Sequence, residues 1–424
     1  MAEQMKPSGI DWIGDIPDEW DITKVRFVTK LRSEQGFYNS DDKYIGLENI
    51  SSYTGEYIST ESEYDAGIYD LYKTGDLLFS KLRPYLAKAL IADDCGFCTG
   101  ELAVIKEYNG DIRYLFYYML SDGFLKMVDA STYGAKMPRA SWDYIKNLQI
   151  PVIGKAKQQA IADFLDKECG QIDSVAAALE KQIALLQQYK KSLITETVTK
   201  GLDKSVSMKD SGVEWIGKIP EHWQKTRIKF EASIIGSGTT PDSGNSMYYD
   251  NGEHSWIQSG DLYGNDYIYE TEKQLTNLAI LECHALNWYI KDFVVVAMYG
   301  ASVGNVAISK IDSFTNQACC VIKLNEKNDN RYLFYFLKAS QEEMLLKAFG
   351  GTQPNISQVI IKNLNFLNVP LLEQIEIANF LDSKCDMINE MLKSKKDQYD
   401  VLIKHKKSLI YEYVTGKKRV KEVQ

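Results

Sequence analysis

The chain repeats itself, and that constrains its fold more than any other feature. Ser8-Gly9-Ile10-Asp11-Trp12-Ile13-Gly14-Asp15-Ile16-Pro17-Asp18-Glu19-Trp20 returns as Ser211-Gly212-Val213-Glu214-Trp215-Ile216-Gly217-Lys218-Ile219-Pro220-Glu221-His222-Trp223, 203 residues later. Arg113-Tyr114-Leu115-Phe116-Tyr117 returns as Arg331-Tyr332-Leu333-Phe334-Tyr335 at an offset of 218. The offset is 216 for Ile145-Lys146-Asn147-Leu148, repeated from Ile361, and for Ile161-Ala162-Asp163-Phe164-Leu165-Asp166, repeated from Ile377. It is still 216 for Lys190-Lys191-Ser192-Leu193-Ile194, repeated from Lys406. A constant offset means no insertions over the later stretch, so loop-length differences fall in the region before it. Whatever the fold is, 424 residues use it twice.

Each copy reads as two parts. Residues 21–150 and 224–370 mix short Val/Ile/Tyr/Phe runs with Gly, Asn, Asp and Ser turns, the pattern of strands in an α+β domain. Arg113 to Val128 and Arg331 to Ala348 read as helices embedded in them. Pro151 and Pro370 punctuate a boundary, and a long helical stretch follows each. In the first, Leu165, Ile172, Leu179, Leu186 and Leu193 fall every seven residues, with Ile161, Val175 and Tyr189 as companions. The second has Leu381, Ile388, Lys395, Leu402 and Leu409, with Ile377 and Met391. A heptad seam faces a partner helix. Five heptads span about 50 Å at 1.5 Å per residue, longer than one small domain can cover. The expected architecture is therefore α+β: two similar domains joined by two long, antiparallel coiled-coil helices. Its segments are residues 1–150, a helix over 151–201, residues 202–370, and a helix with a basic tail over 371–424.

Composition narrows the function. Hydrophobic residues make up 45% and charged residues 25%, ordinary for a folded protein. Nothing approaches the roughly 18 apolar residues of a membrane span, and the acidic N-terminus lacks a signal core, so a cytoplasmic protein is expected. Seven cysteines, an odd number, fit a reducing compartment. Net charge is −9, which argues against coating nucleic acid through bulk charge but leaves room for local basic patches. Cys95-Gly96-Phe97-Cys98 has the spacing of a redox dithiol or half a zinc site. No second pair follows, and His222, His254, His284 and His405 show no ligand spacing, so buried small hydrophobes are the better reading. Gly236-Ser237-Gly238-Thr239-Thr240-Pro241 is like a phosphate loop without its Lys-Ser/Thr. Walker, zincin, nucleophile-elbow and adenine-methyltransferase motifs are missing, so no catalytic residue and no metal ligand is assigned.

Polar loops fit for contact remain. Ser80-Lys81-Leu82-Arg83-Pro84-Tyr85-Leu86-Ala87-Lys88 carries Lys81, Arg83, Tyr85 and Lys88 without an acid. Gly134-Ala135-Lys136-Met137-Pro138-Arg139 adds Lys136 and Arg139. The second copy offers Ser237, Thr239 and Thr240, then Tyr299, Ser302 and Asn305, then Gln353 and Asn355 within Gly351-Thr352-Gln353-Pro354-Asn355. Lys and Arg suit phosphates and guanine edges, while Asn and Gln suit adenine edges. Each loop alone is more often a solvated turn; their matching places in the two copies bring contact level with that reading.

With these motifs on the page, the chain resembles the specificity subunit of type I DNA restriction-modification enzymes. The resemblance rests on the duplicated Ser-Gly-x-x-Trp-Ile-Gly-x-Ile-Pro-x-x-Trp, the Ile-Ala-x-Phe-Leu-Asp helix starts and the Lys-Lys-Ser-Leu-Ile helix ends. It implies two target-recognition domains, each reading half of a bipartite site in double-stranded DNA, with two helices setting their separation. It implies recruitment of two methyltransferase subunits that methylate adenine with S-adenosylmethionine, and of two ATP-driven restriction/translocase subunits in the full defence complex. Cofactors (S-adenosylmethionine, ATP and Mg) would sit on those partners, and this chain would be non-catalytic. The stretches 236–241 and 299–305 are similar to recognition loops of the family, with 81–88 in the equivalent place of the first domain. A stand-alone tandem DNA-binding regulator and an inactive assembly scaffold stay open as alternatives, and a C-x-x-C oxidoreductase is a third.

Overall fold

The computed structural model describes residues 4–300, 302–349 and 354–420. Two compact units divide the chain: Met1–Lys181 with Lys395–Gln424, and Gln182–Ser394. Each therefore combines one α+β domain with part of both long helices, Lys155–Lys200 and Leu371–Val414. No helix among the described residues is long and apolar enough to cross a membrane.

In the first unit, Thr29–Leu31, Leu102–Tyr108, Leu77–Ser80 and Ala89–Ile91 form an antiparallel sheet in that order. A second sheet orders Gln35–Tyr38, Gly67–Tyr72, Gly96–Cys98 and Tyr44–Ile45, with the last pair parallel. The second unit repeats the plan with a sheet of Ala232–Ser237, Cys319–Leu324, Phe293–Ala297, Val306–Ser309 and Tyr267–Ile268, and a smaller one of Gln274–Leu275, His254–Ile257 and Phe314–Thr315. Central strands buried on both faces read as unbroken apolar runs, as Phe293–Ala297 does.

Each embedded helix is broken where the sequence reads as continuous. Ile112–Met119 and Asp122–Ala130 are separated at Ser121, whose extended backbone starts the second helix while its Oγ donates to the Tyr118 carbonyl at 2.6 Å. Asn330–Ala339 and Gln341–Leu346 break at Ser340, which donates to the Leu337 carbonyl. Serine competes for nearby backbone groups in just this way.

The repeated motifs tie each domain to helices. The Arg113 guanidinium binds Asp111 at its own helix start and Asp163 and Asp166 of the long helix, and Tyr117 donates to Asp166 at 2.7 Å. Arg331 does the same with Asp329 and Asp382, and Tyr335 with Asp382 at 2.7 Å. Buried Gln158 and Gln374 accept from the backbone N–H of Asp111 and Asp329 and donate to Ile153 and Val369 carbonyls. The Tyr114 hydroxyl reaches the Val414 carbonyl at 2.8 Å, and that of Tyr332 the Val198 carbonyl at 2.9 Å. Gly416 and Gly201, at φ +73° and +71°, follow the ends of these helices with Trp20 and Trp223 against them.

Within each unit the helix segments pair antiparallel. Phe164 stacks near Tyr413 at 4.4 Å and Asp173 meets Lys406, the partner index falling as the first rises. In the second unit Lys190 meets Asn389. Leu165, Leu179, Leu381, Ile388 and Leu409 are buried, and Ile172, Leu186, Leu193, Leu402 and Lys395 are partly so. The expected companions need correction: Val175, Tyr189 and Met391 are about half exposed, whereas Ile161 and Ile377 are buried. The seam instead alternates steps of four and three, through Cys169, Ala176, Ile183 and Lys190, and through Cys385, Leu392, Tyr399 and Lys406. A residue three after each heptad leucine lies to the outside of that line.

Candidate nucleic-acid interface

One end of each main sheet gathers the loops singled out by sequence. In the first unit, strand Leu77–Ser80 runs into residues 81–88, and Leu82 bridges Arg139. The Arg83 N–H donates to the Pro138 carbonyl at 2.7 Å and the Ala140 N–H to the Lys81 carbonyl at 2.8 Å. In the second, strand Phe293–Ala297 runs into residues 298–305, Tyr299 bridges Asn355, and the Ile356 N–H donates to the Met298 carbonyl at 2.7 Å. The same two loops are thus clasped by the same backbone pattern twice.

The stretch 236–241 joins this cluster in the second unit. The Thr240 hydroxyl donates to the Gln317 side chain, whose carboxamide also interacts with Tyr299. Pro241 accepts from the Tyr249 hydroxyl at 2.6 Å. Gly238 is required by crowding, since a Cβ there would fall 1.6 Å from the Thr315 carbonyl oxygen. That packing accounts for the glycine, and no cradle of free N–H groups is needed to explain it.

The predicted contact residues differ in availability. Lys136 is exposed and has no ion pair among the described residues, and Tyr85 is half exposed. Lys81 is partly buried. Arg83 adopts left-handed backbone at φ +49°, with its Nε buried and unpartnered among the described residues. Arg139 is exposed but paired with Glu101, whose hydrogen bonds raise the guanidinium pKa. Lys88 turns inward to the Leu47 carbonyl at 2.6 Å, and burial lowers its pKa. In the second unit Thr240 and Asn355 are exposed, Ser237, Thr239, Tyr299 and Asn305 partly buried, and Ser302 buried. Burial raises the Tyr299 pKa, and Asn305 accepts weakly from Gln341 at 3.4 Å. Gln353 lies outside the described residues.

Two aromatic residues at this end escaped the sequence reading. Tyr133 and Phe349 are 62% and 73% exposed, yet each is pinned by a pair of backbone hydrogen bonds, to Arg139 and Asn355. Their spacing of 216 was the available signal; a tyrosine facing a phenylalanine is not a motif by itself.

Cys95 is exposed but Cys98 is buried, with its thiol pushed up to about 12 by desolvation, and Cys319 and Cys320 are buried. No group of His, Cys, Asp and Glu able to hold a metal occurs among the described residues. In the second unit Lys190, Lys338 and Asp266 line a cavity of about 420 Å³. Burial would raise the Asp266 pKa, but Lys338 and Lys190 together hold it below the usual carboxylate value.

Comparison with known proteins places this geometry. Residues 220–398 match the family described as the type I restriction modification DNA specificity domain. The chain is 26% identical over 437 residues to the putative type I restriction enzyme MjaX specificity subunit of Methanocaldococcus jannaschii, covering 96% of each. It is 27% identical over 322 residues to the MjaVIII specificity subunit of the same organism, covering 74% of this chain and 72% of that one. Its fold superposes with a TM-score of 0.70, at 15% identity, on a chain solved in a study of complex assembly and conformational transition of the type I R-M system; 94% of this chain and 98% of that one are covered. The chain is therefore similar to type I restriction-modification specificity subunits, and residues 220–398 match their DNA specificity domain.

Proposed function

We propose that this chain is the DNA-reading specificity subunit of a type I restriction-modification enzyme, with each unit reading one half of a bipartite duplex site. One observation carries the reading: two units share a scaffold and a loop clasp, while the clasped loops share no residue between 81–88 and 298–305 at aligned positions. A reader of two different half-sites needs a common frame and unlike contacts. The long helices act as the spacer. The chain is non-catalytic and recruits two methyltransferase subunits, which supply S-adenosylmethionine chemistry, and two restriction/translocase subunits that use ATP and Mg. Its net charge of −9 fits an assembly in which the partners supply much of the grip on DNA and this chain supplies discrimination.

Methylation mapping of cells with and without the chain tests the reading, with a bipartite methylated motif expected only in its presence. Purified chain alone should methylate nothing, and adding the cognate methyltransferase subunit with S-adenosylmethionine should restore specific methylation. The spacer is tested by one extra heptad after Ala178 and another after Val401, which keeps the seam in phase. Seven residues add about 10 Å of helix, so the gap should widen by about three base pairs with both half-sites unchanged. A motif with the original gap would show that the helices are not the ruler.

A further inference from the structure

The end of each main sheet opposite the reading loops also carries a repeated surface feature. In the first unit Ser80, at the root of the reading loop, pairs with Leu102, whereas Tyr108 at the other end of that strand pairs with Thr29. The six steps between them are about 20 Å of strand. Just before Thr29 lies the short helix Val25–Val28; just before Ala232, which pairs with Leu324 at the corresponding end, lies Ile228–Glu231. Val25 and Ile228 are fully buried and anchor these turns, with their N–H groups donating to the carbonyls of Leu148 and Leu364. Those acceptors belong to the repeated Ile-Lys-Asn-Leu.

The next two residues face outward in both copies. Phe27 is 63% exposed with the Arg26 guanidinium 4.7 Å from its ring centre, and Phe230 is 67% exposed with the Lys229 ammonium at 5.0 Å. Lys24 and Arg227 precede them, and none of these four bases is in an ion pair with a described residue. One exposed phenylalanine needs no explanation. The same ring, beside a base with no ion pair among the described residues, at the same end of the same sheet in both units, does.

We propose that the Arg26–Phe27 and Lys229–Phe230 knuckles are two equivalent docking points for two copies of one partner chain, the methyltransferase subunit, through an apolar cleft rimmed by carboxylates. This rests on the two-reader function. Contacts to unlike half-sites must diverge, and the loop end does. Contacts to the same partner bound twice must repeat, and this end does. A ring that fills an apolar cleft, flanked by an unpaired base, is the make-up of an interface anchor. Distance from the reading loops sets the knuckles apart from base recognition.

The test uses the full chain with its cognate methyltransferase subunit. Native mass spectrometry should show two methyltransferase subunits per wild-type chain. Phe27→Ala or Phe230→Ala should each weaken one of the two sites at least tenfold, and the double variant both. Arg26→Glu and Lys229→Glu should do the same, and circular dichroism should show every variant folded. Two partners bound by the double variant within twofold of wild-type affinity would overturn the proposal. So would loss of duplex binding by the isolated charge variants with assembly intact, which would make the knuckles a DNA contact, or loss of self-association of this chain. If the variants assemble normally while wild type still directs a bipartite motif, the docking surface falls and the reading function stands. If wild type assembles, the variants do not, and no motif is methylated, the docking surface stands and the reading function falls.

Discussion

The Lys406 ammonium lies 2.6 Å from a carboxylate oxygen of Asp173, in the seam between the long helices and almost sealed from water. The Tyr53 carbonyl completes its shell at 3.1 Å. The residues 216 earlier and later repeat the geometry with different chemistry: Lys190 donates to the Asn389 carboxamide at 2.8 Å and stands 3.6 Å from Asp266. Removing one member of a buried pair strands the other. Asp173→Ala should therefore destabilise the first unit by about 3 kcal/mol, and Lys406→Met by much less. Urea titration of the two variants checks the order, and equal losses would show that burial of the charge is not the governing cost.

Gly416 and Gly201 both need left-handed backbone, which costs another residue about 1–2 kcal/mol. They differ in room. A Cβ at 416 would meet Pro17 at 2.5 Å and Trp20 at 2.9 Å, whereas at 201 the nearest atom is Trp223 at 3.3 Å. Gly416→Ala should lower stability by about 1–3 kcal/mol more than Gly201→Ala, the overpacking difference. Thermal melts of both variants measure it.

Acid should loosen the second unit through Asp266. Its pKa is depressed in the fold, so the unfolded chain takes up the proton first as pH falls. The stabilisation is complete above the ordinary aspartate value near 4 and is lost as pH falls through the lower folded value. Asp266→Asn should flatten that part of the stability-against-pH curve. A curve below pH 4 that matches wild type would assign the acid sensitivity elsewhere.

Recognition should fail one half-site at a time. Lys136→Ala or Tyr133→Ala should weaken or relax the first unit's half only, and Thr240→Val, Asn355→Ala or Phe349→Ala the second's. A lost bidentate base contact costs about 1–3 kcal/mol, while a lost phosphate contact weakens all sequences alike and lowers the salt slope by about one. Lys88→Met and Ser302→Ala should act through folding instead, because both side chains are turned into the protein. Relaxation of both halves by one substitution would refute independent reading.

Much of the architecture is legible in the sequence because duplication marks it. The repeated motifs identify the framework, and the structure gives several of their residues a bond: Arg113 and Arg331 to helix carboxylates, Tyr114 and Tyr332 to carbonyls at helix ends. The seam's second line is harder to read, since Lys190 and Lys406 occupy it as charges and apolar Val175 lies beside it. Periodicity finds apolar residues, not buried lysines whose counter-charge comes from elsewhere. The contact residues are least legible. Lys88 and Arg139 look free in a linear sequence, but Leu47 and Glu101 come from other segments. Phe27 and Phe230 look like core residues until the turn that exposes them is placed.

The composition of the first unit has a consequence for how the protein is made. Leu409, Ile410 and Val414 belong to the same core as Trp20, Ile105 and Leu165. A ribosome that has delivered the first 181 residues has not yet delivered the segment that closes that core, whereas residues 182–394 contain every part of theirs. The later-encoded unit can therefore fold to completion first, and the earlier one waits, with its apolar face open, until the segment carrying Leu409, Ile410 and Val414 has been made. A stop codon near position 395 would leave residues 182–394 intact, yet the unit it leaves unfinished is the one encoded at the start.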